Sequence, residues 1–147
     1  MNKLDYNILS SSVLDIAKEA GKEILNIYNK SDVGVSYKSD NSPLTLADKA
    51  SNDVIEKKLK KLTPSIPILS EEGKNIEFCD REKWNVFWLI DPLDGTKEFI
   101  KKNGEFTVNI ALISDGEPIL GVVYAPVINT MWHGDIKGGS YKIEKNK

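Results

Sequence analysis

Two aspartates, Asp91 and Asp94, close the stretch Trp88-Leu89-Ile90-Asp91-Pro92-Leu93-Asp94 and are followed at once by Gly95-Thr96. The apolar residues before them read as a buried strand. Pro92 stiffens the turn between them, and a helix can begin at Gly95-Thr96. A rigid strand end followed by a stiff turn aims two carboxylates and a backbone carbonyl toward one point. A helix start just beyond leaves unpaired N–H groups facing outward, a setting that suits an anion. Hard cations such as Mg²⁺ take oxygen ligands and share them with phosphates. The segment has the parts of a site for metal and phosphate together, although Asp-Pro-Leu-Asp-Gly is by itself also a good structural turn.

A second acidic group lies upstream. Ser65-Ile66-Pro67-Ile68-Leu69 reads as a short apolar strand running into Ser70-Glu71-Glu72-Gly73. Two strands that each end in carboxylates can converge at one edge of a sheet, and a pair of divalent ions needs carboxylates from more than one segment. Further upstream, Asp40-Asn41-Ser42-Pro43-Leu44-Thr45-Leu46-Ala47-Asp48 contains Thr45 with Asp48 three residues on. This spacing resembles a capping box with Asp in place of Glu, and from the segment alone Asp48 is a helix cap.

In this order the three pieces resemble the inositol monophosphatase superfamily of Mg²⁺-dependent, lithium-sensitive phosphatases. Lys97-Glu98-Phe99 and Asn103-Gly104-Glu105-Phe106-Thr107-Val108-Asn109, with Gly121-Val122-Val123-Tyr124-Ala125-Pro126, resemble its 3′(2′),5′-bisphosphate nucleotidase branch. The resemblance runs from about residue 8 to the end of the chain. It implies Mg²⁺, two or three ions per site, with Glu71, Asp91 and Asp94 as side-chain ligands and Leu93 as a carbonyl ligand. It implies Asp48 and Thr96 as the groups that orient and deprotonate the attacking water, with Glu71 assisting. Glu71, Leu93, Asp94, Gly95 and Thr96 would also meet the substrate. Asp40 has a matching position nearby.

The implied reaction is removal of the 3′-phosphate from 3′-phosphoadenosine 5′-phosphate to give AMP, a step of sulfur metabolism. Inositol 1-phosphate or another sugar phosphate is the alternative substrate, and a remnant that binds metal weakly is the alternative outside enzymology. A phosphomonoester dianion repels hydroxide, so any such site must neutralise charge and lower the pKa of a water.

The family usually runs to about twice this length, and its later Trp-Asp-x-x-Ala motif has no counterpart in residues 106–147. The expectation is therefore one N-terminal metal-binding domain over 1–147, without the C-terminal domain. Such a chain is expected to self-associate or to need a separate C-terminal half.

Composition narrows the partners. A net charge of −2 leaves no electrostatic footprint for nucleic acid. Lys57, Lys58, Lys60 and Lys61 read as a solvated helix end. Lys97, Lys101 and Lys102 follow the phosphate segment and are open to either a substrate or a surface role. Cys79 is the sole cysteine, expected in a loop, so no intrachain disulfide forms; His133 is the sole histidine, which excludes a multi-histidine zinc site. No apolar run is long enough for a transmembrane segment, and no signal-peptide core is present. A cytoplasmic location is expected, with peripheral attachment to the inner membrane face left open.

The elements that must position these residues follow from periodicity. Val13, Ile16, Ala17, Ala20, Ile24 and Ile27 fall at helical spacing over residues 5–29. A second helix is expected from Leu44 to Lys61, with Ala47, Ala50 and Val54 inward. From Phe106 the period becomes two, through Val108, Ile110 and Leu112. Ser114-Asp115-Gly116-Glu117 makes a hairpin turn, Ile119 to Tyr124 return, and strands follow near 130–133 and 140–143. Two helices on an antiparallel sheet is an α+β arrangement, the N-terminal part of the layered α/β/α/β/α sugar-phosphatase fold that the resemblance implies.

Overall fold

The computed structural model describes residues 6–40 and 43–144, so Asp5, Asn41 and Ser42 of the expected elements lie outside the described residues. Helix α1 spans Tyr6–Tyr28. It buries Leu9, Val13, Ile16, Ala17, Ala20 and Ile24, one stripe at 3.6-residue spacing. Two short strands, β1 (Ser36–Tyr37) and β2 (Pro43–Leu44), pair antiparallel and lead into α2 (Leu46–Leu62). Thr45 caps α2 as the spacing predicts: its hydroxyl accepts from the backbone of Ala47 and Asp48, while the Asp48 carboxylate accepts from Thr45 N–H.

The inward face of α2 differs from the expectation. Ala47 is buried, but Ala50 and Val54 are half-buried, and the fully enclosed positions are Asp48, Ser51, Ile55 and Leu59. Polar residues turn inward because each finds a partner there. Ser51 donates to the Pro92 carbonyl at 2.7 Å, and Ser70 donates to Asn52 Oδ1 at 2.6 Å.

Six strands form the main sheet, in the order β3 (Ile68–Ser70), β4 (Val86–Asp94), β5 (Thr107–Ser114), β6 (Glu117–Ala125), β7 (Thr130–Asp135) and β8 (Gly139–Glu144). β3 begins three residues later than the Ser65–Leu69 strand expected from the sequence. The sheet is mixed rather than purely antiparallel, because β3 pairs parallel to β4 while every later neighbour is antiparallel. A short helix α3 (Phe78–Arg81) lies between β3 and β4 and carries exposed Cys79, which sequence reading assigns to a loop. At the β5–β6 hairpin Asp115 and Gly116 both take positive φ, the geometry of a tight two-residue turn.

Both long helices cover one face of the sheet. Val108, Ile110 and Leu112 from β5, Leu120 and Val122 from β6, Trp88 and Ile90 from β4, and Met131 from β7 meet them in a single core. Trp88 is fully enclosed and its Nε1–H donates to Thr63 Oγ1 at the end of α2, 2.9 Å away. Neither long helix packs on the opposite face, where Arg81 of α3 approaches. One register row across it reads Asp91, Asn109, Val123, Trp132 and Lys142, and it forms part of an open hollow of about 980 Å³.

Candidate functional site

The parallel pairing of β3 with β4 decides where the carboxylates go. Parallel neighbours finish at the same edge, so Glu71, just past β3, stands beside the end of β4; its N–H donates to the Ile90 carbonyl at 3.1 Å. β4 continues through Pro92 to Asp94, with its register against β5 shifting between Asp91 and Asp94. This irregularity replaces the free turn expected there. It lets two aspartates of one strand serve one locality, as bulges do when they re-aim side chains.

Asp91 is half-buried, and its Oδ1 is fully buried with no hydrogen-bond partner. Burial, then the charges of Glu71 and Asp94 and a hydrogen bond shared with Glu71, push the Asp91 pKa up to about 7, against a backbone N–H from Leu93 that lowers it. Crowded carboxylates with an unsatisfied buried oxygen have the chemistry to accept a cation. The donors are all oxygen, so the set fits a hard cation such as Mg²⁺. They are not gathered into a closed cage: among the described residues no group of three or more His, Cys, Asp and Glu side chains is already poised around an ion. Glu71 is instead drawn toward Lys38, whose Nζ lies 3.1 Å from Glu71 and 2.5 Å from Glu72.

Gly95 follows with φ 98° and caps helix α4 (Thr96–Ile100). A Cβ there would meet the Glu105 carbonyl at 2.8 Å, so both the backbone angle and the space require glycine. The turn delivers Thr96 to α2. Its hydroxyl donates to Asp48 Oδ1 at 2.9 Å, with the Leu93 carbonyl a second acceptor at 3.4 Å. Asp48 Oδ2 accepts from Thr45 N–H at 2.7 Å and from its hydroxyl at 2.5 Å. The cap residue read from the upstream segment is therefore fully buried and bonded to Thr96, forty-eight positions along the chain.

The structure thus gathers Glu71, Asp91, Leu93 and Asp94 at one sheet edge, and joins Asp48 to Thr96 next to Leu93. Asp40 is exposed on the β1–β2 loop. Lys102 belongs elsewhere: its Nζ donates to the carbonyls of Tyr28 and Lys30 and lies over the Tyr28 ring, capping the end of α1. His133 stacks on Tyr141 in the sheet. Two site neighbours escape sequence reading. Lys38 carries no motif at all. Asn109, read only as part of the nucleotidase-like stretch, accepts from Thr107 through Oδ1 and so turns its Nδ2 toward Asp94 Oδ2, 3.1 Å away.

A profile of the inositol monophosphatase family matches residues 8–146. The chain belongs to this family. The 3′(2′),5′-bisphosphate nucleotidase CysQ of Buchnera aphidicola is 52% identical over 122 residues, which cover 82% of this chain and 45% of that protein. The Escherichia coli K12 protein of the same name is 52% identical over 136 residues, covering 90% of this chain and 53% of its own length. The crystal structure of CysQ from Bacteroides thetaiotaomicron superposes with a TM-score of 0.83 at 41% identity, covering 97% of this chain and 51% of that one. The chain spans about half the length of the relatives it matches. Membership fixes the class as a phosphatase family with an α+β fold, here built on a mixed sheet. No helix among the described residues is long and apolar enough to cross a membrane.

Proposed function

We propose that residues 1–147 form the metal-binding domain of a Mg²⁺-dependent phosphomonoesterase acting on a small doubly phosphorylated nucleotide, with 3′-phosphoadenosine 5′-phosphate as substrate and AMP and phosphate as products. The observation that carries this reading is the orphaned, buried Asp91 Oδ1 beside Glu71 and Asp94, next to the Asp48–Thr96 pair. The names of the relatives at 52% identity support the nucleotide over inositol 1-phosphate. The Asn103–Asn109 stretch does likewise.

Glu71, Asp91, Asp94 and the Leu93 carbonyl would hold Mg²⁺, two or three ions in the full site. Bound there, the metal supplies charge neutralisation for the phosphate and acidifies a water. The chain's own residues then handle the proton. Because the Thr96 hydroxyl donates to Asp48, its oxygen is left to accept a hydrogen bond from a water. As the water oxygen bonds to phosphorus and the bond from phosphorus to the ester oxygen breaks, the water's proton passes to Thr96 and the Thr96 proton to Asp48 Oδ1, while the departing 3′-oxygen takes up a proton from a solvent water to leave as the hydroxyl of AMP. Thr45 fixes the orientation of Asp48 by two hydrogen bonds throughout. The backbone N–H groups of Gly95 and Thr96, at the start of α4, would meet the phosphate.

Phosphate release from 3′-phosphoadenosine 5′-phosphate and inositol 1-phosphate, measured side by side with Mg²⁺, tests the assignment. Faster release from the nucleotide, lost in Asp94→Asn, is the expected result. Faster release from inositol 1-phosphate would transfer the site to the sugar phosphates. No release from either would leave the chain as a metal-binding unit without turnover.

A further inference from the structure

Lys38 occupies a place that the proposed reaction does not use. It sits in the chain after β1, more than thirty positions from Glu71 and Glu72, yet its ammonium reaches both carboxylates. The two acceptors differ. The Glu72 side chain is 8% exposed, whereas that of Glu71 is 55% exposed. Glu72 is therefore the fixed anchor and Glu71 the movable partner. Lys38 itself is largely covered, so it cannot leave Glu72 without stranding a buried carboxylate.

Glu71 is also the carboxylate that stands beside Asp91, whose second oxygen is buried and unsatisfied. Two cations thus have a claim on Glu71: the ammonium of Lys38 and the ion that Asp91 and Asp94 require. We propose that Lys38 is a built-in competitor for the divalent cation at Glu71, anchored by Glu72 so that its charge stays within reach whether or not the ion is bound. The ammonium offsets part of the carboxylates' mutual repulsion when the ion is absent, and Glu71 must exchange it for the ion on loading. The inference rests on the metal-site reading above. It explains why the carboxylates crowd one another without already enclosing an ion. It also gives Glu72, adjacent to a ligand in sequence, a role other than ligation.

A gain of affinity is the signature, and disruption of the fold does not produce it. Isothermal titration of the whole chain with Mg²⁺ compares wild type, Lys38→Met and Lys49→Met. The last removes an equal charge from an exposed position adjoining Asp48. Replacing a charge-assisted contact to two carboxylates should tighten Mg²⁺ binding roughly three- to tenfold in Lys38→Met. The Lys49 variant should stay within about a factor of two of wild type, as a screened surface charge does. Equal affinity in wild type and Lys38→Met, or weaker affinity in a variant that keeps the wild-type melting temperature, would overturn the competitor role while leaving the metal site standing. An equal gain in both variants would reduce Lys38 to one unit of general charge and also overturn it. Absence of saturable binding in every protein would overturn the metal-site reading and this inference together.

Discussion

The most quantitative consequence concerns Asp91→Asn with all divalent ions chelated. The carboxyl has an ordinary pKa of 3.8 and is pushed up to about 7 by burial and by Glu71 and Asp94. An acid whose pKa is higher in the folded state holds more protons folded than unfolded between those two values. Stability must then fall as pH rises from about 4 through 7, and the cost is fully present at pH 8. At 1.36 kcal/mol per pH unit the whole displacement corresponds to roughly 4 kcal/mol. The side chain is only partly buried, and solvent screening reduces the cost to about 1–2 kcal/mol. The amide is nearly isosteric and uncharged, so Asp91→Asn should melt about 2–8 °C above wild type at pH 8 in chelator. At pH 4, where the folded carboxyl is protonated, the gap should shrink toward zero. Saturating Mg²⁺ should then stabilise wild type and leave the variant nearly unmoved. Circular dichroism melts at pH 4 and 8, with chelator and with Mg²⁺, give all of these values. Coincident melting of the two proteins at pH 8 in chelator would show that the carboxylates do not strain the fold as argued.

Three further outcomes follow from the same geometry. Thr96→Val keeps the side-chain shape but removes the hydroxyl bonded to buried Asp48, so phosphate release should drop by about 10²–10⁴-fold while stability falls by only about 1–3 kcal/mol; retained turnover would remove Thr96 from the proton path. Gly21 lets α1 approach β6 so closely that a Cβ would lie 2.5 Å from the Tyr124 ring and 3.1 Å from Pro126. Gly21→Ala should therefore destabilise by about 1–3 kcal/mol in urea unfolding despite alanine's better helix propensity, and a neutral result would mean that the helix shifts freely. Leu89, Val123 and Trp132 are exposed on the sheet face that the long helices leave uncovered, which favours self-association; sedimentation should show species above 16.4 kDa that diminish in Trp132→Ser, and a clean monomer in wild type would refute it.

What could be read from the chain depended on how each feature writes itself into the residues. The two amphipathic helices and the β5–β6 hairpin follow from apolar spacing and from Asp115-Gly116. The closeness of Glu71 to Asp91 was foreseeable because each ends an apolar strand. Their parallel pairing was not, since hydrophobic pattern is indifferent to strand direction. Ser51 and Asn52 were missed on α2 because a polar side chain turns inward only when a partner awaits it, and the partners, Pro92 and Ser70, lie on other elements. Strand β4 passes through Pro92 where a turn was expected, because the register shift opposite β5 accommodates a residue without an N–H. Lys38 was invisible for a similar reason: one lysine in a polar loop acquires meaning only from the carboxylates that the fold brings to it.

The central claim is that Glu71, Asp91 and Asp94 share a divalent cation. Anomalous diffraction from crystals of the chain grown with Mn²⁺, used as a heavier stand-in for Mg²⁺, addresses it most directly. The account predicts an anomalous peak within about 2.0–2.4 Å of Asp91 Oδ1 that is also ligated by Asp94 or Glu71, with the Lys38 ammonium displaced from Glu71. Well-ordered Asp91, Glu71 and Asp94 side chains without a peak among them, at Mn²⁺ concentrations that populate other sites, would contradict it.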